Sequence, residues 1–235
     1  YGACSTMAES LLLGGVLVDA GYAASAACVA SSHFSSAERQ YRLPLEMGAT
    51  APETAQHTVT GAGCALLSAE MGAGAQFSRV RLRAATIGRV VDLGITDASN
   101  MGAAMAPAAC DTILTHLADM GRGAEAYDRI VTGDLGRFGT EMLLSLCKER
   151  GLSIAERHMD CGSCIYAPAQ DVKCGGSGCG CSAVTLAALL LDELERGRTR
   201  RILFLATGAL LSPTAVLQGE SIPGIAHAVV LEREA

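Results

Sequence analysis

The 235-residue sequence contains no tryptophan, and only 4% of its residues are aromatic although 50% are hydrophobic. A core built from these residues has few bulky anchors. With 27 glycines and many alanines, it points instead to closely packed elements joined by tight turns, as in layered α/β proteins. Charge is sparse as well: 18% of residues are charged, and the formal net charge is −6. That balance excludes a general attraction to nucleic acid or anionic lipid, so an anionic ligand has to be held by local arginines. Long apolar runs are missing. Residues 11–18 and 183–191 are too short to cross a bilayer, and no basic-then-apolar leader precedes them, so any membrane contact is expected to be peripheral. The length suffices for one substantial core or two fused smaller ones.

Cysteine, by contrast, is plentiful: there are ten. Cys28, Cys64, Cys110 and Cys147 sit inside apolar patterns, which reads as reduced core thiols and a cytoplasmic site of synthesis. Cys161-Gly162-Ser163-Cys164, with Cys174, Cys179 and Cys181, has paired spacing that a zinc or iron–sulfur site would use. Cys179 and Cys181 straddle one glycine at a helix start, so packing and loop-lining thiols are the default, and no metal is assigned.

The chain is organised around its first turn, Tyr1-Gly2-Ala3-Cys4-Ser5-Thr6, where a strand hands over to a helix carrying Met7, Leu11, Leu12 and Val16. Cys4 is thus expected at a helix N-terminus, where unpaired N–H groups favour either a thiolate or a ligand carboxylate. A small buried hydrophobe is the plainer alternative. Past Gly21, residues 25–31 read as a strand buried on both faces and ending at His33. That histidine is either a pocket residue or one satisfied within its own turn. Residues 34–58 form a long polar stretch with Glu38, Arg39, Arg42 and Glu46, either a cap over a site or a solvated loop with its own ion pairs. Residues 62–67 return as a buried strand, and Arg79 to Ala84 alternate as a half-exposed one.

Residues 91–105 look irregular, and Pro107 is expected at the first position of the next helix. Residues 130–134 are a strand ending in a turn, and 139–150 an amphipathic helix stopped by Gly151. A further short strand is expected within 154–160. His57, His116 and His158 read as surface or loop residues, and His227, inside an apolar strand, as a core histidine.

An internal repeat organises the whole. Cys4-Ser5-Thr6 opens a helix stopped 17 residues later by Gly21, and Cys181-Ser182-Ala183 opens one stopped 16 residues later by Gly197. In both copies the next strand ends ten residues beyond the glycine, and a polar excursion returns in a second strand. Two copies of one βα unit, related by a pseudo-twofold, are expected. They divide the chain into residues 1–78 and 79–235. The second copy has strands and helices upstream of its cysteine helix and the first has none, so the N-terminal part of the first half is expected to be missing.

Gly2-Ala3-Cys4-Ser5-Thr6 at a helix start, the duplicated half and the glycine-rich loop resemble the thiolase fold, and within it the ketoacyl synthase III group. The more specific resemblance is to the stage V sporulation AD family. It rests on Ser31-Ser32-His33, Asp92-Leu93-Gly94-Ile95-Thr96-Asp97, Thr132-Gly133-Asp134-Leu135, Gly175-Gly176-Ser177-Gly178-Cys179 and Ala206-Thr207-Gly208-Ala209-Leu210-Leu211-Ser212-Pro213. The resemblance implies a layered αβαβα fold.

Condensing enzymes of this fold pair their cysteine with a histidine and an asparagine. The corresponding places, Thr132-Gly133-Asp134 and Ser177-Gly178, hold neither. Each lost oxyanion contact costs roughly 3 to 4 kcal/mol of barrier. The resemblance therefore implies a non-enzymatic protein that binds dipicolinic acid (pyridine-2,6-dicarboxylate) and its calcium chelate for uptake into the developing spore. It would work with other stage V sporulation A-operon membrane proteins, peripherally at the inner spore membrane, and dimerise when full length. The implied ligand-binding set is Cys4, His33, Arg39, Asp134, Ser177, Gly178 and Thr207. No cofactor is expected; calcium enters only within the chelate, with Asp134 or Asp97 as its oxygen donor. The rivals are an acyltransferase using Cys4 and a scaffold for membrane partners.

Overall fold

The structure, a computed structural model, describes residues 2–36, 50–69 and 79–234. Arg39 and Arg42, with Glu38 and Glu46, lie outside the described residues. After a 3-10 turn at Ala3–Ser5, α1 (Thr6–Asp19) leads through Gly21 into β1 (Ser25–Ser32). There follow β2 (His57–Thr58), β3 (Gly61–Ser68), β4 (Val80–Thr86), α2 (Met101–Met120), β5 (Arg129–Thr132), α3 (Gly136–Glu149), β6 (His158–Asp160), the short α4 (Cys161–Cys164) and β7 (Gly176–Ser177). Then α5 (Cys179–Thr185) continues through a π turn, Leu186–Leu190, into α6 (Leu191–Glu195), and the chain finishes with β8 (Arg201–Ala209), α7 (Pro213–Leu217) and β9 (Gly224–Arg233).

Five strands form one sheet in the order β4-β9-β8-β5-β6. β8, β5 and β6 are parallel, whereas β9 runs antiparallel to β8 and to β4. β1 and β3 form an antiparallel pair, and β2 lies parallel to β7. The duplication is visible in this arrangement. Gly21 and Gly197 both end a helix with left-handed backbone, φ +75° and +69°, a conformation open to glycine at no steric cost. Each is followed by a strand, β1 or β8, that pairs antiparallel with the strand returning after the excursion, β3 or β9.

Strand alternation sorts the core into two clusters. Leu203, Leu205, Ala226, Ala228 and Val230 face α2 and α3, while Ile202, Phe204, Ala206, Val229 and Leu231 face α1, α5 and α6. β1 and β3 lie across the other side of α1 and α5, so close that a Cβ on Gly63 would sit 2.2 Å from the Ala183 carbonyl oxygen. The layers are therefore β1 with β3, then α1 with α5 and α6, then the five-stranded sheet, then α2 with α3.

Several expectations need correction. α2 begins at Met101, not at Pro107, because the Asn100 side chain caps it by accepting from the Ala103 N–H at 3.3 Å; Pro107 sits inside the helix. β1 buries one face only, since Ser25, Ala27, Val29 and Ser31 are exposed, and Cys64 on β3 is exposed too. His116 is a core residue, fully buried. Its Nδ1 pairs with Thr86 Oγ1 and its Nε2 with Tyr127 Oη, both at 2.7 Å. His158 also has a partner, Thr132 Oγ1 at 2.9 Å.

Candidate functional site

The first turn is bent before it becomes a helix. Ala3 adopts φ +51°, a left-handed conformation that costs a residue with a Cβ, and it turns the backbone so that Cys4 is presented at the start of α1. Gly2 secures the turn from below: its N–H donates to Glu9 Oε2 at 2.9 Å and its carbonyl accepts from Ser5 Oγ at 2.6 Å. Gly208 on β8 must lack a side chain here, because a Cβ would lie 2.2 Å from the Gly2 carbonyl oxygen. The C-terminal end of the central strand thus runs directly beneath the cysteine turn.

Asp134 is the hub of the site. It follows β5 in the turn before α3 and is 1% exposed. Its Oδ1 accepts from Thr207 Oγ1 at 2.8 Å, and its Oδ2 from Ser177 Oγ at 2.8 Å and the Gly178 N–H at 3.0 Å. The Cys4 thiol also donates to this carboxylate. Burial lifts the Asp134 carboxyl above its usual range, and those four hydrogen bonds only partly oppose the shift. Cys4, Asp134, Ser177, Gly178 and Thr207 are therefore joined in one hydrogen-bonded cluster. Both oxygens of Asp134 accept hydrogen bonds inside the protein.

A second buried carboxylate, Asp160 at the end of β6, holds that turn in shape. Its oxygens accept from Thr132 Oγ1 and the Leu135 N–H, both at 2.8 Å, from the Gly136 N–H at 3.0 Å and from the Ser163 N–H at 2.9 Å. Burial pushes its carboxyl up to about 6. Gln56 adds a strap, donating through Nε2 to the Asp134 carbonyl at 2.7 Å and the Gly176 carbonyl at 3.0 Å.

Two helices point their N-termini at this place. The N-cap residues of α1 and α5 supply no side-chain cap, although Ser32 meets the Gly180 N–H of α5, and Cys179, the first residue of α5, donates its thiol to the Ala3 carbonyl at 3.2 Å. The positive ends of two helix dipoles thus converge beside Cys4, with the buried Asp134 between them.

The remaining expected residues fall elsewhere. His33 is exposed just past β1, with Nδ1 accepting from the Ser35 N–H at 3.1 Å. Its buried neighbour Ser32 is the residue that touches the glycine turn: Ser32 Oγ accepts from the Gly180 N–H at 2.8 Å and donates to the Val59 carbonyl at 2.6 Å. Asp97 closes its own loop on Ser99, and Arg39 is outside the described residues. His227 is buried on β9, accepting from the Gly88 N–H at 3.1 Å. Asp160, Gln56 and Ser32 escape the sequence reading. Only Asp160 carries a local sign, as an aspartate three residues ahead of Ser163 that caps α4. Among the described residues no group of three His, Cys, Asp or Glu side chains is placed to hold a metal ion.

A profile of the family described as Stage V sporulation protein AD matches residues 1–232. The Stage V sporulation protein AD of Bacillus subtilis (strain 168) is 47% identical over 233 residues, covering 99% of this chain and 67% of that protein. Among solved structures, a tetronic acid condensing enzyme superposes with a TM-score of 0.60 at 17% identity, covering 98% of this chain and 66% of its own. The 3-oxoacyl-(acyl carrier protein) synthase III of Pseudomonas aeruginosa PAO1 gives 0.55 at 18%, covering 100% and 66%. That of Aquifex aeolicus VF5 gives 0.54 at 11%, covering 98% and 65%. At such identities the structural likeness establishes the fold, thiolase-like, and nothing of the chemistry. The chain spans about two thirds of the length of each of these relatives.

Proposed function

The chain belongs to the stage V sporulation protein AD family, and we propose that in sporulation it serves as a receptor for dipicolinic acid and its calcium chelate, performing no acyl transfer. The observation that carries the non-enzymatic part is the buried Asp134 carboxylate, held by Thr207, Ser177 and the Gly178 N–H beside the turn that bears Cys4. A carboxylate opposes both a thiolate and the oxyanion that a condensing reaction builds beside it, where an imidazole or a carboxamide would stabilise them. The thiol is left as a polar wall of the cleft.

The receptor reading rests on the family the chain belongs to and on the start of α1, which no side chain caps; at the α5 start the Gly180 and Gly178 N–H groups are already taken by Ser32 and Asp134. His33 and Arg39 remain proposed contacts, Arg39 lying outside the described residues. Calcium arrives with the ligand as part of the chelate, and no resident cofactor is invoked. Membrane proteins of the same operon, a peripheral place at the inner spore membrane and a homodimer of the longer protein belong to the same proposal.

The acyltransferase alternative has one observation in its favour: the strained Ala3 turn, which presents a thiol on a helix N-terminus as a nucleophile would require. Intact mass after incubation with an acyl-CoA separates the two. The receptor predicts an unmodified chain, and a thioester adduct lost on Cys4→Ala would establish the enzyme. Equilibrium dialysis against dipicolinate separates receptor from scaffold, because a scaffold retains none.

A further inference from the structure

Although the formal net charge is −6, arginine is spread unevenly. The segment Arg196-Gly197-Arg198-Thr199-Arg200-Arg201 places four arginines between the end of α6 and the start of β8. Strand register brings more to the same sheet end: Arg201 is opposite Glu232, and Arg233 opposite Val80, which follows Arg79. Much of this charge is accounted for. Arg201 forms a bidentate pair with Glu232 at 2.9 and 3.0 Å, Arg81 and Arg83 share Glu234, Arg129 pairs with Glu193, and Arg196 with Asp192. Two further carboxylates lie there: Asp128 accepts from the backbone N–H groups of Arg200 and Arg201, and Glu195 from the backbone N–H of Arg79. Arg233 donates to the Glu195 carbonyl at the C-terminus of α6, where a cation also suits the helix dipole.

After that accounting, the exposed guanidinium groups of Arg79, Arg198 and Arg200 form no close ion pair among the described residues, and Arg200 acts on Glu232 only at longer range. The same corner carries exposed apolar side chains. Gly15 of α1 packs against Leu82 near the start of β4, and just beyond it Val16, Leu17 and Tyr22 are 57%, 46% and 83% exposed. Unpaired arginines beside exposed aliphatic and tyrosine side chains fit an interface where phosphate lies above hydrocarbon. A nucleic acid would instead call for aromatic rings interleaved with the arginines, and the arginine segment has none.

We propose that this end of the five-stranded sheet is a docking surface for a bilayer of anionic phospholipid, with Arg198, Arg200 and Arg79 taking the headgroup phosphates. The surface lies at the N-terminal ends of β8 and β5, and the Cys4–Asp134 cluster at their C-terminal ends. From Arg201 to Thr207 along β8 is about 20 Å, beyond the roughly 8 Å Debye length at physiological salt. Docking therefore leaves the site facing away from the membrane and electrostatically independent of it. The inference deepens the peripheral location proposed above and does not depend on which ligand the site takes.

The test is co-sedimentation of the full chain with vesicles of phosphatidylcholine containing one quarter phosphatidylglycerol, against vesicles of phosphatidylcholine alone. Binding is expected to the anionic vesicles only and to vanish at high salt. The charge reversal R198E/R200E should lower the partition coefficient at least about tenfold, whereas Lys148→Glu, in the last turn of α3, should leave it unchanged. Equal binding to neutral vesicles, an unaffected R198E/R200E variant, or charge-dependent binding to RNA without binding to vesicles would each overturn the proposal. Melting temperature and dipicolinate dialysis of the variant, both expected to be unaltered, keep a misfolded chain or a failed ligand reading distinct from a failed docking surface.

Discussion

Asp134 and Asp160 are two buried carboxylates that meet at the turn after β5, and both are satisfied by hydroxyls and N–H groups. Replacing Asp134 by asparagine puts an amide NH2 against either the Ser177 and Gly178 donors or the Thr207 hydroxyl. Leaving a buried donor unmatched costs about 1–3 kcal/mol, so thermal unfolding of Asp134→Asn should begin about 5 °C lower. Asp160 and His158 make opposite claims on pH. Burial raises Asp160 from 3.8 to about 6, so across that window the folded state holds the extra proton and stability falls as pH rises. Burial lowers His158 from 6.5 to about 4, so there the unfolded state holds the extra proton and stability rises with pH. Asp134, raised by burial, adds to the falling slope, and His116 and His227, lowered by burial, add to the rising one. Relative to the wild type, His158→Gln should tilt the profile toward falling and Asp160→Asn toward rising, in denaturant titrations across that range. At this scale the sequence is a partial guide. Cys4, Asp134, Ser177, Gly178 and Thr207 are grouped by the family resemblance, and the fold brings Asp134 into hydrogen bonds with Ser177, Gly178 and Thr207. His116 is not legible, because its partners Thr86 and Tyr127 are 30 and 11 residues away and nothing local marks them.

At the scale of elements, backbone contact between glycines sets the positions. α2 and α3 touch at Gly102 and Gly139, where a Cβ on Gly102 would be 2.4 Å from the Leu135 carbonyl oxygen and 3.0 Å from the Gly139 Cα. Gly102→Val therefore has to push the helices apart and should cost several kcal/mol, about 3 or more, by the usual penalty of overpacking; chemical denaturation measures it. Gly208→Ala drives a methyl into the Gly2 carbonyl and so displaces the cysteine turn. It should abolish dipicolinate retention while the far-ultraviolet circular dichroism spectrum stays native. Helix stops at Gly21, Gly151 and Gly197 can be read from sequence because a left-handed residue is needed at each, φ +75°, +79° and +69°. The start of α2 misleads, since Pro107 is tolerated within a helix whose cap is the less conspicuous Asn100.

For the whole molecule, the duplication brings two helix starts to one point. One start carries Cys4, the other Gly178 and Cys179, and the strand that passes beneath them carries Thr207 and Gly208. The order of the repeat is legible because helix, glycine stop and strand recur at matching intervals. The exposed face of β1 is not, because small residues such as Ala27 and Ser31 suit either a buried or an open face. The basic end of the sheet is equally hidden in a net charge of −6, which averages it away. The measurement that bears most directly on the account is titration calorimetry of the chain with dipicolinate, run beside the Gly208→Ala variant. A saturable heat with one ligand per chain, absent from the variant, is predicted. No heat from the native chain, or equal heat from both, would contradict a receptor at the paired helix starts.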